Sequence, residues 1–181
     1  KELGIPENAF LLLSVGELNA NKNHQIVIRA LAQLNDSNIH YMIAGKGDLH
    51  DELIDLANRL GVAEQVHLLG YRNDVAELYK TADVYCLPSI REGLNVSVME
   101  AMASGLPIIC SRIRGNVDLI NSQTGVLFKF NKPHDLSTAI ASLHTDPRLK
   151  EKLCQTGSKR VDRFSTVAVS LEMRRIYAAE I

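Results

Sequence analysis

The sequence of 181 residues predicts an α/β fold, in which a Rossmann-like parallel six-stranded sheet carries helices on both faces. Its six short apolar runs lack polar alternation, as is typical of strands that are covered on both faces. Segments whose apolar residues recur with helical period lie between these runs. This alternation predicts right-handed βαβ units, which place a ligand crevice at the carboxyl ends of the strands.

Each element can be justified in chain order. A first helix is predicted over residues 26–34 and a second over 53–60, because apolar residues recur on one side of each. A third is predicted from about Asn95 to Gly105, and from Pro133 onward two helices separated at Asp146-Pro147. The predicted strands begin near Phe10 (FLLLSVG), Ile39 (IHYMIAG), Val66 (VHLLG), Asp83 (DVYCLPS), Pro107 (PIICS) and Gly125 (GVLF).

Length and composition indicate one domain over residues 1–181 and exclude several classes of protein. Lys and Arg total 20 against 21 Asp and Glu, a balance that argues against nucleic acid as a partner. The apolar runs at 9–15 and 107–110 are far shorter than the ~20 residues that cross a bilayer. Three widely spaced cysteines fit no disulfide framework and favour a reducing cytoplasm. Because the chain begins with Lys1 rather than Met, we interpret it as an excised domain.

Charge is distributed unevenly along the chain. Residues 1–111 contain 8 basic and 14 acidic groups, whereas residues 112–181 contain 12 basic and 7 acidic groups. The favoured interpretation is a solvated helical face, and the alternative is a weak attraction of the whole protein to anionic lipid. The basic residues of this face are Lys150, Lys152, Lys159, Arg160 and Arg163.

The most informative segment is PSIREGLNVSVMEAMASGLPIICSRIRGNVD, at residues 88–118. Its helix is apolar almost all round, so Glu100 is expected to be largely buried. A buried carboxylate needs partners, either backbone amides or an Arg, or else the two hydroxyls of a ribose. Glu92 belongs to the loop before the helix, where Gly93 permits close approach of an anion to the helix N-terminus. Two carboxylates around an anion site suit a sugar nucleotide.

The run Glu92-GLNVSVM-Glu100-AMASGLP resembles the signature of the family 4 retaining glycosyltransferases. The resemblance covers nearly the whole chain and implies the C-terminal, donor-binding half of a GT-B fold. Its acceptor-binding N-terminal domain is then absent from this chain. The other matching segments are SVGELNANKNH (14–24), IAGKGDLHDEL (43–53), LLGYRNDVAELYKTADVYCLPS (68–89) and GVLF (125–128).

The resemblance also implies roles for individual residues. Glu92 matches the glutamate that contacts hydroxyls of the transferred sugar, and Glu100 matches the one that holds the nucleotide ribose. Lys22 matches the lysine that neutralises the diphosphate, so Glu92 and Lys22 are the expected catalytic residues. Donor-binding backbone is expected at Gly16 and in the turn formed by Gly93, Leu94, Asn95 and Val96.

Other positions either have an expected role in binding the donor or differ from the family pattern. Tyr71 and Arg72 lie where the family contacts the base, although ordinary packing explains Tyr71 equally well. Glu17 stands where the family usually has Arg, and it would repel a diphosphate if it pointed at one. Either Glu17 faces away and Arg91 or Arg72 supplies a second cation, or the affinity for the donor is low. Asn95, where the family often has Gly, is compatible with a helix start.

Several other chemistries are not indicated. Gly45-Lys46-Gly47 lacks the third glycine of a dinucleotide fingerprint, which argues against NAD. No histidine pair has metal-ligand spacing, no DxD occurs, and His24 is interpreted as a helix-start residue rather than a ligand. No serine has the GxSxG setting of a nucleophile elbow.

The resemblance implies the function of a bacterial, cytoplasmic retaining hexosyltransferase without metal or cofactor. The expected donor is a UDP-sugar, and the expected pathway is assembly of a surface polysaccharide or glycoconjugate, with the complete protein at the inner face of the membrane. The domain alone is expected to be inactive. Two alternatives stay open: a sugar-nucleotide epimerase of GT-B fold, and a non-catalytic module that binds a sugar nucleotide.

Overall fold

A computed structural model describes residues 4–179 and confirms the predicted parallel sheet. The six strands lie in the order β3-β2-β1-β4-β5-β6, and all neighbouring strands pair in parallel. The strands are β1 (Phe10–Val15), β2 (Ile39–Ala44), β3 (Val66–Gly70), β4 (Val84–Leu87), β5 (Ile108–Ser111) and β6 (Gly125–Phe128). The helices are α1 (Gln25–Leu34), α2 (His50–Arg59), α3 (Val75–Thr81), α4 (Val96–Ala103), α5 (Asn116–Leu119), α6 (Pro133–Thr145), α7 (Pro147–Val161) and α8 (Thr166–Ala179).

The strand order creates a switch point between β1 and β4. The chain moves outward from β1 to β3 in one direction and from β4 to β6 in the other. The loops that follow β1 and β4 therefore leave the sheet side by side, at the carboxyl ends of these neighbouring strands. In open parallel sheets this is where ligands bind.

The core has two layers because the four central strands, β2, β1, β4 and β5, are largely buried on both faces. Leu12 and Leu13 are consecutive and fully buried, yet they belong to opposite layers. One layer is closed by α1, α2 and α6, and the other by α3, α4 and α5. Side chains that alternate between faces with a period of two produce this arrangement.

Helix α4 begins as predicted but is not buried all round. The side chain of Asn95 caps it by accepting a hydrogen bond from Val98 N at 3.2 Å. The buried residues Val98, Ala101 and Met102 form one stripe at helical spacing. Val96 on the other side is 60% exposed, and Glu100 is also exposed. The expectation that Glu100 is buried was therefore wrong, because only one stripe of an apolar helix packs on the sheet.

The C-terminal region contains the predicted break between two helices. Asp146 separates α6 from α7, and its side chain accepts hydrogen bonds from the first free amides of α7. Helix α8 follows, and neither it nor the short helices α3 and α5 was predicted. No helix within residues 4–179 is long and apolar enough to cross a membrane.

The basic face was only partly predicted correctly. Lys150 Nζ lies 2.8 Å from Asp83 Oδ1, and Arg160 donates to the backbone carbonyls of Leu119 and Asp118. Lys152, Lys159 and Arg163 are exposed, as a solvated face requires. Two of the five cations thus join elements of the fold, which local sequence did not indicate because their partners lie 41 or more residues away.

Candidate functional site

Two loops meet at the switch point, residues 16–24 after β1 and residues 88–95 after β4. Lys22 of the first loop and Glu92 of the second form an ion pair, with Lys22 Nζ 2.8 Å from Glu92 Oε1. Both side chains are mostly shielded, at 19% and 13% exposure. The two residues expected to be catalytic are therefore in direct contact.

Two asparagines on either side of Lys22 join the loops. Asn21 accepts a hydrogen bond from Arg91 N at 3.1 Å and donates to Arg91 O at 2.9 Å. Asn23 adopts a left-handed backbone conformation, with φ 55°, and its amide donates to Pro88 O and to Phe130 O. We call Asn21 and Asn23 the asparagine clamp, because they hold the second loop against the first.

The asparagine clamp was missed in the sequence. Its only local signal is the asparagine-rich run NANKN at residues 19–23, since asparagine side chains often bond to nearby backbone. The same run contains Asn19, whose Oδ1 accepts from Lys22 N at 3.0 Å. The Lys22 backbone is thus held through its own amide and through its two neighbours, Asn21 and Asn23.

Gly16 provides room for the Lys22 side chain. A Cβ atom at Gly16 would lie 3.1 Å from Lys22 Cε, so the lysine stem lies directly across this glycine. Burial tends to raise the pKa of Glu92, but hydrogen bonding to Lys22 and the nearby Ser89 and Asn95 side chains more than offset it, so this pKa lies below its usual range. The carboxylate is thus ionised at neutral pH and acts only as an acceptor.

Glu100 lies on the exposed side of α4 and has a tyrosine partner. Tyr79 donates its hydroxyl to Glu100 Oε2 at 3.0 Å. Burial of the ring and the adjacent Tyr85 and Glu100 raise the pKa of Tyr79 well above its ordinary value, so the hydroxyl remains a donor. Tyr79 was not indicated by the sequence analysis. Its ring packs edge-on against Tyr85, with centroids 5.8 Å apart.

A cavity of about 530 Å³ adjoins this site on the side of β2 and β3. Tyr71 is 71% exposed there, which removes ordinary packing as its explanation. Arg72 donates from Nε to Asp74 Oδ1 at 2.7 Å and from Nη2 to Asp74 Oδ2 at 2.5 Å. The cavity is lined by Val15, Gly16, Glu17, Ala44, Gly45, Lys46, Tyr71, Arg72 and Val75.

Glu17 is exposed at the mouth of this cavity and accepts a hydrogen bond from Asn19 Nδ2 at 2.8 Å. It therefore lies next to the site rather than away from it. Arg91 is exposed as well, and its backbone is held by the asparagine clamp. Leu94, at 57% exposure, and Val96 extend the exposed surface along the N-terminus of α4.

His24 is buried at the start of α1, as its interpretation as a helix-start residue predicts. Its Nδ1 lies 2.7 Å from the Tyr41 hydroxyl and its Nε2 lies 3.1 Å from Glu17 O. Burial lowers the pKa of His24 to about 4, against a smaller opposing effect of the Glu17 carbonyl. Within the described part of the chain, no three His, Cys, Asp or Glu residues are grouped to hold a metal ion.

Comparison with known proteins identifies the relatives of this chain. Residues 1–160 match the family described as glycosyl transferases group 1. EpsD of Bacillus subtilis (strain 168), provisionally described as a glycosyltransferase, is 36% identical over 179 residues, which are 97% of this chain and 47% of EpsD. The UDP-Gal:alpha-D-GlcNAc-diphosphoundecaprenol alpha-1,3-galactosyltransferase of Escherichia coli is 29% identical over 183 residues, which are 98% of this chain and 47% of that protein.

Solved structures show the same architecture. The Anabaena protein Alr3699/HepE, crystallised in complex with UDP, has a TM-score of 0.90 and 23% identity over 98% of this chain and 50% of that chain. The predicted fold, one half of a GT-B fold, is confirmed by this likeness. The chain spans about half the length of the relatives that it matches.

Proposed function

The chain belongs to the glycosyl transferases group 1 family, and on this basis we propose that it is the C-terminal, donor-binding domain of a family 4 retaining glycosyltransferase. The domain spans residues 1–181, and an N-terminal domain outside this chain holds the acceptor. The observation that carries the proposal is the contact between Lys22 and Glu92, 2.8 Å apart at the switch point of the sheet. The site thereby combines a cation for a diphosphate with an ionised acceptor for sugar hydroxyls.

Lys22 and α4 stabilise the departing diphosphate. An ammonium group has three N–H donors, so Lys22 keeps its bond to Glu92 while it binds a phosphate oxygen. The N-terminus of α4, preceded by Gly93, Leu94 and Asn95, adds the positive end of a helix dipole. These charges act where negative charge develops as the sugar–phosphate bond breaks. We therefore expect that no metal or cofactor is needed.

The two glutamates act on different parts of the donor. Glu92, held ionised by Lys22, accepts hydrogen bonds from the hydroxyls of the transferred sugar and fixes that sugar in the reactive geometry. Glu100 accepts from the ribose hydroxyls. Its Oε2 is already bound to Tyr79, which orients the carboxylate.

The base occupies the cavity beside Gly16, against Tyr71 and Arg72. Asp74 holds the Arg72 guanidinium, so the wall of the cavity is ordered before the nucleotide arrives. Uridine is the proposed base, because the Anabaena relative was crystallised with UDP and the name of the Escherichia coli relative specifies a UDP-sugar donor. Arg91, exposed on the adjoining loop, is the proposed second cation that offsets Glu17.

The acceptor is proposed to belong to bacterial surface-polysaccharide or glycoconjugate synthesis. Support comes from the Escherichia coli relative, whose name describes transfer to a diphosphoundecaprenol-linked sugar. Such an acceptor lies at a membrane, so we propose that the complete protein works in the cytoplasm at the inner membrane face. Lys150 and Arg160 contribute little to such association, because both are engaged within the fold.

Calorimetric titration of the chain with UDP, GDP and ADP tests the nucleotide site. UDP is expected to bind best, and Glu100→Gln is expected to weaken its binding by about 1–3 kcal/mol, because an amide accepts less well from the ribose hydroxyls. Glu77→Gln is the matched control, since the Glu77 side chain is 67% exposed on α3 and pairs only with its helix neighbour Lys80 among the described residues. Equal UDP affinity in the wild type and in Glu100→Gln contradicts the ribose role.

Product analysis with the complete protein tests the reaction. Glu92→Ala is expected to reduce sugar transfer strongly and to leave the affinity for UDP nearly unchanged, since UDP has no hexose to contact. If Glu92 serves only to stabilise α4, through a negative charge near the helix N-terminus, the variant loses about 0.3–1 kcal/mol of stability and keeps its activity. An epimerised donor, or a donor returned unchanged with every acceptor, identifies the epimerase or the binding module instead.

A further inference from the structure

The turn between β5 and α5 packs directly against the loop that carries Glu92. Gly115 in this turn has φ +89°, and a Cβ atom there would lie 2.2 Å from Gly93 O and 2.7 Å from Glu92 O. The Gly115 backbone therefore packs closely against the backbone carbonyl groups of Glu92 and Gly93. A side chain at position 115 would displace this loop, because both obstructing atoms are backbone and have no freedom to rotate away.

A buried polar chain joins the same turn to the start of the Glu92 loop. Asn116, Ser111 and Ser89 are each 0% exposed. Asn116 Nδ2 donates to Ser111 O at 2.9 Å, and Ser111 Oγ donates to Ser89 O at 2.5 Å. Ser89 is three residues before Glu92, and its hydroxyl is one of the groups beside the Glu92 carboxylate. The Glu92 loop is thus held on this side at Ser89 and at the carbonyl groups of Glu92 and Gly93.

The segment from Ser111 to Leu119 is also held at its C-terminal end, by a side chain of α7. Arg160 of α7 donates from Nε to Leu119 O at 2.5 Å and from Nη2 to Asp118 O at 2.7 Å. These are carbonyls at the C-terminal end of α5, where a cation is favourable. The segment from Ser111 to Leu119 is therefore anchored at both ends, to β5 and to α7.

From this arrangement we propose that Gly115 and Asn116 are positioning residues. They set the position of the Glu92 carboxylate relative to the Lys22 ammonium and the donor sugar. The inference rests on the proposed function, since it takes Glu92 as the group that contacts the sugar. Simple packing does not require these residues. Asn116 Oδ1 is buried without a hydrogen-bond partner among residues 4–179, a cost that an apolar side chain would avoid.

A carbon-detected NMR titration of the Glu92 carboxyl group in the chain without nucleotide tests the positioning. Gly115→Ala is expected to raise the pKa of Glu92 by about 1, because the displaced loop separates the carboxylate from the Lys22 ammonium. Gly61→Ala is the control: Gly61 also has a positive φ, +71°, but nothing lies within 4 Å of its Cβ position. This variant likewise places a side chain on a positive-φ backbone, without the clash, and is expected to leave the pKa of Glu92 unchanged.

Ser111→Ala provides a second measurement that does not depend on a strained backbone. It removes the bond to Ser89 O and is expected to move the pKa of Glu92 in the same direction by a smaller amount. If Gly115→Ala does not fold, this variant decides the question. A Glu92 pKa that is the same in the wild type, in the folded Gly115 variant and in Ser111→Ala overturns the proposal.

Titrations with UDP and UDP-glucose separate this inference from the proposed function. Glu92→Ala and Gly115→Ala are both expected to lower the ratio of UDP-glucose to UDP affinity, about tenfold for the first and less for the second. The ratio is the readout because Gly115→Ala also displaces Gly93, which is proposed to meet the diphosphate that both ligands share. If only Glu92→Ala changes the ratio, the function stands and the positioning role fails. If the pKa of Glu92 moves in the Gly115 variant but Glu92→Ala leaves the ratio unchanged, the geometry stands and the proposed sugar contact fails.

Discussion

The stability of the chain should decrease as the pH falls below neutrality, because His24 is buried in its neutral form. His24 is 3% exposed, and burial lowers its pKa to about 4 from an ordinary value of 6.5. The unfolded chain therefore binds more protons between these two values, so the stabilisation is complete above about pH 6.5 and is lost as the pH falls toward 4. Between pH 7 and pH 5 the loss amounts to about 2 kcal/mol.

Urea unfolding at pH 7 and pH 5, for the wild type and His24→Gln, measures this effect. His40 and His67 also have lowered pKa values, mainly through burial, and they contribute equally in both proteins. The difference between the two proteins therefore isolates His24. The wild type is expected to lose about 2 kcal/mol more than the variant between pH 7 and pH 5.

The hydrogen bonds around His24 define the opposite outcome. A chain of four contacts runs from Glu17 O through His24, Tyr41 and Ser14 to Cys86 O. Both ends are acceptors, so four hydrogen bonds need four protons, whereas the three neutral side chains supply only three. A second proton on His24 would complete the chain. Wild-type stability that rises toward pH 5 relative to the variant would refute the neutral assignment.

Three further substitutions test the fold by the free energy of unfolding. Asp146→Ala removes the cap of α7 and should cost about 1 kcal/mol, whereas an Asp146→Ser variant should keep most of it; equal losses would contradict the capping role. Gly45→Ala should cost about 3 kcal/mol, because the new Cβ would lie 1.8 Å from Gly16 O, and wild-type stability would show that this approach is not close. Asp83→Ala should cost about 1–2 kcal/mol because Leu11 N loses its acceptor, and Asp83→Asn should recover part of that loss.

The fold could be predicted from the sequence because strands buried on both faces leave a simple pattern. Residues such as Leu12 and Leu13 are both fully buried, and this produces an uninterrupted apolar run. The same pattern was misleading for α4, where Val96 is apolar and 60% exposed. Hydrophobicity alone does not distinguish a surface that packs on the sheet from one that faces a crevice.

The site could be predicted only in part, for a different reason. Glu92 and Lys22 were identified from a resemblance, and the structure brings them to 2.8 Å from each other. The residues that hold them in place carry no comparable signal. Asn21 and Gly115 act on backbone atoms far away in sequence, and such contacts depend on how the strands are ordered rather than on local residue type.

The asparagine clamp has a consequence for the order in which the protein folds. Asn23 bonds to Pro88 O across 65 residues and to Phe130 O across 107 residues. Contacts between residues so far apart in sequence form slowly, because much of the chain must be ordered before they can be made. During synthesis the N-terminal strands emerge first, and the clamp stays incomplete until Phe130 has left the ribosome. A nascent chain that already contains both Lys22 and Glu92 therefore still lacks one of the bonds that hold their loops.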